Sequence, residues 1–335
     1  MYALMQLIVS ADMTALSYWL NWRFLLCAIW VLTPTILALF VIGKYEGQNH
    51  RKSEQGKAQQ EAINALHIDE AWRPCLRGIH PIWLLAFRVI SFCWLFASLV
   101  DKVLISAPSI FFYYTQWTFT LVTIYFGLGA LLSIYGCFQY HKISSRDLNE
   151  HHVSIDAEQG YYTPLTCQER TDVPEVRKDE EIHVSQAIRT SSYVFQVIFQ
   201  TSAGAVMLTD CIYWSIIYPF LTIKDYDLSF MTVNMHTLNA VLILGDTVLN
   251  CLPFPWFRFA YFVLWTSAFT IFQWILHACV SIRWPYPFLD LSSPYAPLWY
   301  LVTALLHIPC YGLFALIVRT KHYLLWKWFP PSNHW

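Results

Sequence analysis

Long apolar runs between charged residues are the feature that most restricts the fold of this chain. A bilayer core is ~30 Å thick, which an α-helix crosses with about 20 apolar residues. Seven runs are long enough to do so, at 24–43, 81–100, 109–138, 190–221, 228–252, 259–282 and 294–318. The sequence therefore predicts an all-α, polytopic transmembrane helix bundle with seven spans.

Composition agrees with a membrane protein. Residues of the hydrophobic set make up 56% of the 335 residues, aromatics 18% and charged residues only 13%, and a soluble monomer could not bury so much apolar surface. Sixteen Trp and twenty Tyr are typical of a chain that meets the membrane interface repeatedly. These proportions exclude disordered, collagen-like and coiled-coil classes.

Charge and cysteine patterns exclude other kinds of partner. The formal net charge is −1, so no basic field attracts nucleic acid. The nine cysteines contain no C-x-x-C pair, which argues against a zinc cluster or a disulfide scaffold. We expect no metal, no cofactor and no nucleic-acid partner, and the membrane bilayer as the surroundings of the chain. The sequence leaves the oligomeric state open.

Basic residues predict the orientation, because cytoplasmic loops collect Lys and Arg. With seven spans, the connections after spans one, three and five and the C-terminal tail together hold sixteen basic residues, and the opposite side holds four. We predict an endomembrane (endoplasmic reticulum) or plasma membrane protein with a cytosolic C-terminus. The N-terminal part is predicted to comprise a lumenal or extracellular segment (1–23), an extra span (24–43) and a cytosolic loop (44–80), which includes an interfacial helix at 54–66. The rest is predicted to be a six-span core (81–318) and a cytosolic tail (319–335). A flexible cytosolic loop (139–189) lies within the core.

Six ionisable residues fall inside the predicted spans. Each costs ~2.5–3.5 kcal/mol to insert, so they are expected to face the bundle interior. An ion pair or hydrogen bond between helices is the structural interpretation for any one of them. Arg88 and Asp210 lie roughly mid-span, and we predict that they pair. The six residues are Arg88, Asp210, His236, Asp246, His277 and His307.

Depth along the spans brings a hydroxyl and an imidazole to one level. At ~1.5 Å rise per residue, Thr115 lies ~9 Å, Thr118 ~13 Å, His236 ~12 Å and His277 ~8 Å below the lumenal surface. Asp246 is ~15 Å further along the span that carries His236, too far to orient that imidazole. A Thr/His dyad is therefore possible, whereas a full triad is not visible.

Several segments resemble one family of membrane proteins. Residues 112–119 read FYYTQWTF, similar to a Tyr-x-Thr-x-Trp pattern of rolling-stone-like proteins. Residues 234–239 read NMHTLN, similar to the Met-His-Thr segment of the androgen-induced-gene and androgen-dependent TFPI-regulating proteins. WSIIY at 214–218 and WPYPFLD at 284–290 also have counterparts there, and Arg88 resembles an Arg in the first span of that family. The matches keep the same order over residues 82–318.

The resemblance implies an activity and two site residues. Family members have six spans, and some hydrolyse fatty acid esters of hydroxy fatty acids with an intramembrane Thr nucleophile and a His, which correspond here to Thr115 and His236. This chain differs by the extra N-terminal span, by the long insertion between spans three and four, and by a second hydroxyl, Thr118, one turn below Thr115.

The alternative is a non-enzymatic multi-pass protein used in adhesion or as a scaffold, since rolling-stone-like proteins are associated with cell fusion. A receptor or transporter is a further alternative. The sequence lacks the Asp-Arg-Tyr and Asn-Pro-x-x-Tyr motifs of seven-helix receptors, and we find no inverted repeat typical of transporters.

Overall fold

The computed structural model describes residues 13–53, 71–76, 78–106, 108–157, 175–221, 230–280 and 282–329. Regular secondary structure in these ranges is helical. The predicted interfacial helix at 54–66 lies outside the described residues, as do residues 1–12 of the N-terminal segment. In chain order the main helices are α1 (Trp22–Ser53), α2 (Pro81–Ser106), α3 (Tyr114–Ala157), α4 (Glu175–Ile212), α5 (Asn239–Leu249), α6 (Phe259–Cys279) and α7 (Ala296–Trp328).

Shorter helical elements join or extend these helices. α4 continues directly into a π-helix, and a short α-helix and a second π-helix lead into α5. The remaining pieces are one short α-helix and three turns of 3₁₀-helix in the connections. The two π-helices are Tyr213–Leu221 and Asn234–Leu238; the others are Leu16–Trp19, Pro108–Phe112, Phe230–Val233, Trp256–Arg258 and Pro287–Leu289.

Six helices are long and apolar enough to cross a membrane, so the chain is a multi-pass integral membrane protein. They are α1, α2, α3, α4 with its π-helical extension, α6 and α7. The predicted span at 228–252 is instead divided between Phe230–Val233, the π-helix Asn234–Leu238 and α5. No single piece of it has the required length, and the seven-span count is not confirmed.

The polar connection predicted as a flexible loop at 139–189 is helical in its described parts. α3 runs on to Ala157, and α4 begins at Glu175. The first residues of α4, EVRKDEE, are mostly good helix formers. Both helices therefore continue beyond the apolar runs that predicted them.

Aromatic side chains and small residues build the interior of the bundle. Tyr125 of α3 stacks on Phe195 of α4, with ring centroids 4.8 Å apart. Phe262 of α6 packs against Gly204 of α4 so closely that a Cβ at Gly204 would lie 2.6 Å from its ring. Such close approach needs a small residue at the helix interface, as is common in membrane bundles.

Arg88 pairs with Asp246, and the predicted pairing with Asp210 is wrong. The Arg88 Nε donates to Asp246 Oδ1 at 2.8 Å, and Nη2 donates to Oδ2 at 3.3 Å. Nη1 of Arg88 donates to the Ala71 carbonyl at 2.7 Å and to the Ser133 hydroxyl at 2.8 Å. Arg88 and Asp246 are both fully buried. The pairing follows from their common level near one end of the bundle, since Arg88 is close to the start of α2 and Asp246 close to the end of α5.

Asp246 is further bound by two neutral donors. The Tyr125 hydroxyl donates to its Oδ2, and so does the Asn250 side-chain amide, at 2.7 Å. The Asn250 carbonyl in turn accepts a hydrogen bond from Lys321 Nζ of α7 at 2.8 Å. This network connects α2, α3, α5 and α7 at the end of the bundle where α2 begins.

Candidate functional site

A small apolar cavity lies at the opposite end of the bundle, where α3 begins and the extension of α4 ends. Its volume is about 50 Å³, room for a few water molecules or an ester group. The lining is apolar apart from hydroxyls and one imidazole. It consists of Tyr114, Thr115, Leu208, Thr209, Ile212, Ile217, His236, Thr266, Phe269, Thr270, Tyr286, Phe288, Leu289 and Thr303.

All four segments that carry the family resemblance contribute to this cavity. Segment 112–119 supplies Thr115, segment 214–218 supplies Ile217 and segment 234–239 supplies His236. Segment 284–290 supplies Tyr286 and Phe288. Residues that lie up to about 170 positions apart in the chain thus meet around one space.

Thr115 is in the first turn of α3, where its hydroxyl faces the cavity. The 3₁₀-helix Pro108–Phe112 leads into α3, and Gln273 Nε2 of α6 fixes its end by donating to the Phe112 carbonyl at 2.9 Å. The Thr115 Oγ1 lies 3.4 Å from the Tyr286 hydroxyl, and the Thr115 N–H points at the same oxygen at 3.5 Å. The connection between α6 and α7 therefore places Tyr286 directly over Thr115.

Thr118, the second predicted hydroxyl, has a different environment. Its side chain is fully buried, and its Oγ1 lies 3.3 Å from the hydroxyl of Thr209. It does not line the cavity. Of the two threonines, Thr115 is the one placed beside His236 in a space that a ligand could enter.

His236 is held by its ring and by its backbone. Tyr213 stacks on the imidazole with the ring centroids 3.6 Å apart and the planes within 8°. Trp214 Nε1 donates to the His236 carbonyl at 2.8 Å. His236 lies in one of the two π-helices and Tyr213 begins the other; π-helices are frequently found at functional sites.

The π-helix that carries His236 is anchored to α2 at Asn234. Trp94 Nε1 donates to Asn234 Oδ1 at 3.1 Å, and Asn234 Nδ2 donates to the Ser98 hydroxyl at 2.9 Å. Both bonds are made by the side chain of Asn234, and neither involves the imidazole of His236. They fix the helix without competing for the ring.

Asp210 is the residue at this site that sequence reasoning assigned elsewhere. Its Oδ1 lies 3.9 Å from His236 Nδ1. Within the described ranges, the two oxygens of this carboxyl group have no hydrogen-bond partner, and the same is true of the His236 Nδ1. A carboxyl group without hydrogen bonds is costly to bury in an apolar environment, and this one can stabilise the adjacent imidazole when that ring takes up a proton. The sequence does hold one indication of this position. Asp210 is three residues before Tyr213, the residue that stacks on His236, and residues three apart lie on the same side of a helix.

Thr115 and His236 face one cavity without touching. No hydrogen bond joins the Thr115 hydroxyl to the imidazole in the part of the chain that the structure describes. A water molecule or a substrate group between them would complete the proton path, and such contacts commonly tighten only when substrate is bound. The arrangement provides a hydroxyl, a base and a carboxylate beside that base.

Tyr286 adds a hydroxyl donor next to Thr115. It lies between α6 and α7, outside the spanning segments, and burial raises its pKa above the ordinary value for tyrosine. The phenol therefore stays protonated at neutral pH and keeps its proton for donation. Sequence reasoning did not single it out, although it belongs to the WPYPFLD segment.

The other two span histidines lie away from the cavity lining. His277 stacks on Trp284 with ring centroids 3.7 Å apart, and its Nδ1 contacts the Gln273 carbonyl at 2.7 Å. His307 Nδ1 contacts the Thr303 carbonyl at 2.8 Å. Each of these bonds is to a carbonyl one turn earlier in the same helix, and each ring packs against an aromatic side chain from another segment: Trp284 for His277 and, at 4.5 Å, Phe262 for His307.

Comparisons with protein families, curated proteins and solved structures found no match. Among the described residues, no group of three or more His, Cys, Asp or Glu side chains could hold a metal ion. The geometry therefore defines a multi-pass membrane protein with a Thr and a His at one cavity and the half-buried Asp210 carboxyl group 3.9 Å behind the His.

Proposed function

We propose that this protein is an intramembrane lipid ester hydrolase with Thr115 as nucleophile and His236 as general base. The observation that carries the proposal is the meeting of all four family-like segments at one cavity, which Thr115 and His236 line together and which Asp210 approaches only through His236. Hydroxyl, imidazole and carboxylate are the groups that ester hydrolysis by a covalent route requires.

The reaction proceeds in two halves. The Thr115 oxygen attacks the ester carbonyl carbon while His236 takes the hydroxyl proton, and His236 then gives that proton to the departing alcohol. This leaves an acyl group on Thr115. A water molecule, deprotonated by His236, attacks the acyl carbon; the fatty acid leaves and the proton returns to the Thr115 oxygen.

Asp210 and Tyr286 support the two charges that develop. Asp210 faces His236 Nδ1 and stabilises the imidazolium that forms when Nε2 takes the proton. The Tyr286 hydroxyl, close to both the Thr115 oxygen and its backbone nitrogen, donates to the oxygen of the tetrahedral intermediate. Tyr213 keeps the ring plane of His236 fixed by stacking.

The substrate class we propose is a fatty acid ester of a hydroxy fatty acid or a similar lipid, as the resemblance implies. A cavity of about 50 Å³ holds the ester group but not a fatty acyl chain. The chains must therefore extend between helices into the apolar phase. The apolar lining around the hydroxyls suits this arrangement, and the acid product leaves toward the nearby end of the bundle.

We also propose that residues 230–249 form a seventh crossing. Ile217, in the extension of α4, lines the cavity at one end of the bundle. Arg258, just before α6, lies toward the other end of α4, where it donates at 3.2 Å to both Gln196 and Gln200. Gln196 and Ile217 are ~30 Å apart along a helix. The chain must return that distance between α4 and α6, which supports the predicted seven spans, a lumenal or extracellular N-terminus and a cytosolic C-terminus.

Hydrolysis of a panel of lipid esters by the purified, detergent-solubilised protein tests this function. We expect Thr115→Ala and His236→Ala to lower kcat/KM by at least about a thousandfold. Thr118→Ala is the matched control, since it removes a buried hydroxyl one turn away and should keep most of the activity. Each variant is checked for an unchanged unfolding temperature, so that loss of activity is not loss of fold.

The absence of a direct Thr115–His236 contact favours the alternative, a non-enzymatic adhesion or scaffold protein, in which both side chains only pack helices. Activity in Thr115→Ala together with loss in Thr118→Ala would transfer the nucleophile to Thr118. If the wild-type protein hydrolysed no ester in the panel, the scaffold function would replace the hydrolase.

A further inference from the structure

Two cysteines meet at the end of the bundle that is remote from the cavity. Residues 71–76 run beside the end of α5, where Pro74 and Asn250 form an antiparallel bridge and the Cys75 N–H donates to the Leu249 carbonyl at 3.0 Å. Cys251 follows Asn250 directly, and its thiol hydrogen-bonds to the Cys75 sulfur. Both cysteines are buried, and neither is in a disulfide.

Cationic groups of α7 converge on the same sulfur. Lys321 Nζ lies 3.6 Å from Cys75 Sγ, and His322 is hydrogen-bonded to it as well. Lys321 is itself fixed by the carbonyls at the end of α5, donating to Thr247 at 2.9 Å and to Asn250 at 2.8 Å. The lysine is thus positioned by the fold and does not depend on the cysteine for its place.

These contacts favour the thiolate form of Cys75. The hydrogen bond from Cys251, together with the bond from His322 and the charges of Lys321 and His322, lowers the Cys75 pKa to about 5, although burial acts in the opposite direction. The Asn250 carbonyl, 2.8 Å from the sulfur, also acts against the thiolate, because it can only accept a hydrogen bond. The net effect of Cys251, Lys321 and His322 is to lower the pKa of Cys75 despite the opposing carbonyl.

We propose that Cys75 and Cys251 form an oxidisable dithiol site, in which Cys75 is the reactive thiolate and Cys251 the resolving thiol. The site lies ~20 Å along the helix axis from His236 and is independent of the proposed hydrolase. Its reagent class is a hydroperoxide, the class of oxidant that a thiolate reduces.

The oxidation takes two balanced steps. The Cys75 sulfur attacks one peroxide oxygen; an S–O bond forms, the O–O bond breaks, and hydroxide leaves to become water. The Cys251 sulfur then attacks the sulfenic sulfur of Cys75; an S–S bond forms, the S–O bond breaks, and the departing hydroxide takes the Cys251 proton as water. Two thiols lose two electrons in total, and one peroxide is reduced to two waters.

A disulfide here would fasten residues 71–76 to the turn after α5. That segment already provides the Ala71 carbonyl to Arg88 and packs Trp72 against Gly136 of α3, where a Cβ would lie 2.1 Å from the indole. The bond would therefore link to the end of α5 a segment that already contacts α2 and α3. The expected consequence is a fixed, more heat-resistant end of the bundle.

The test uses the full-length protein in detergent, treated with hydrogen peroxide and analysed by non-reducing peptide mass spectrometry. We expect a Cys75–Cys251 linked peptide that is two hydrogens lighter than the reduced pair. In Cys251→Ser, dimedone should instead trap a sulfenic acid on Cys75. Cys310→Ser, which removes another buried thiol, is the matched control and should leave the linked peptide unchanged.

The pH profile of the wild-type reaction distinguishes a thiolate site from chance proximity. Between pH 6.5 and 8.5 the oxidation rate of Cys75 should change less than about twofold, whereas a model peptide thiol of pKa ~8.5 gains about fiftyfold. Lys321→Gln should make the rate of Cys75 rise more steeply over this range. A profile like that of the model peptide, or the absence of both the linked peptide and the dimedone adduct, would overturn the proposal.

Discussion

Asp246 and Asp210 are two carboxylates inside the same bundle with opposite surroundings. Asp246 is fully buried and receives four hydrogen bonds: two from Arg88, one from Tyr125 and one from Asn250. Asp210 receives none from any described residue, and the His236 Nδ1 lies 3.9 Å from its Oδ1.

The difference separates a group that holds the fold from a group available for chemistry. A buried charge with all its bonds satisfied fixes the helices that supply them, and it has no capacity left for a ligand. A buried carboxylate beside an unbound imidazole can stabilise a charge that appears only during a reaction. One bundle thus contains two polar groups of different kinds. At the closed end, the carboxylate of Asp246 has its hydrogen bonds satisfied; at the open end, the carboxyl group of Asp210 has none from a described residue.

Removing Arg88 gives the largest expected effect and tests the closed end. Arg88→Ala leaves the Asp246 charge buried without its counterion, and we expect a loss of about 3–5 kcal/mol in the free energy of unfolding. Thermal unfolding of the purified protein in detergent measures it. Arg283→Ala is the control, because that side chain is exposed in the connection after α6 and should change stability by less than about 0.5 kcal/mol.

An Arg88→Ala variant as stable as the control would contradict the assignment of Asp246 to the fold. The whole comparison would then fail, because the satisfied network would carry no measurable stability. Loss of hydrolysis in this variant at a temperature where it stays folded would also count against it.

Neutralising Asp210 gives a smaller effect and tests the open end. Asp210→Asn removes a carboxyl group that can stabilise the imidazolium of His236 and should lower kcat about a hundredfold, while the unfolding temperature stays about the same because the amide has nearly the same volume and Asp210 makes no hydrogen bond in the described chain. Asp246→Asn is the matched control and should show the reverse: lower stability, with specific activity of the folded fraction retained.

Similar activity and stability losses in both Asp→Asn variants would remove the distinction between the two ends. Unchanged activity in Asp210→Asn would leave Thr115 and His236 as a dyad and would assign Asp210 to helix packing.

The sequence predicted most of the membrane-spanning architecture because apolar length is a direct physical requirement of the bilayer. The run from Pro81 predicted α2 at its first residue, and the apolar runs that begin at 109, 190, 259 and 294 correspond to α3, α4, α6 and α7. The helical extensions of α3 and α4 into polar sequence were missed, because apolar length says nothing of helices outside the membrane.

The partner of Arg88 was within reach of the same reasoning. Depth along the spans was used to compare Thr115 with His236 but not to compare Arg88 with Asp246. Arg88 is seven residues after the start of α2 and Asp246 three residues before the end of α5, so both lie within ~10 Å of one end. Opposite charge and a roughly mid-span position favour Asp210 instead, because a position near the middle of two spans does not say from which end each residue is measured.

The detail of the candidate site was beyond the sequence. The π-helix at Asn234–Leu238 alters the direction of His236 relative to an α-helix, and an apolar run does not specify which hydrogen-bond register its backbone adopts. The approach of Tyr286 to Thr115 depends on how the connection between α6 and α7 folds over the bundle, a contact of 171 residues' separation. Depth along a span gives the height of a residue in the membrane but not which helix it faces, so the sequence could not place Asp210 beside His236.

The most direct test of the account is to identify the residue that becomes covalently modified. A long-chain alkyl fluorophosphonate resembles the lipid and reacts irreversibly with an activated hydroxyl, whose oxygen displaces fluoride. Peptide mass spectrometry of the labelled wild-type protein should find the phosphonyl group on Thr115, with labelling abolished in Thr115→Ala, strongly reduced in His236→Ala and retained in Thr118→Ala. Labelling of another residue, or none in the folded protein, would contradict an active Thr115.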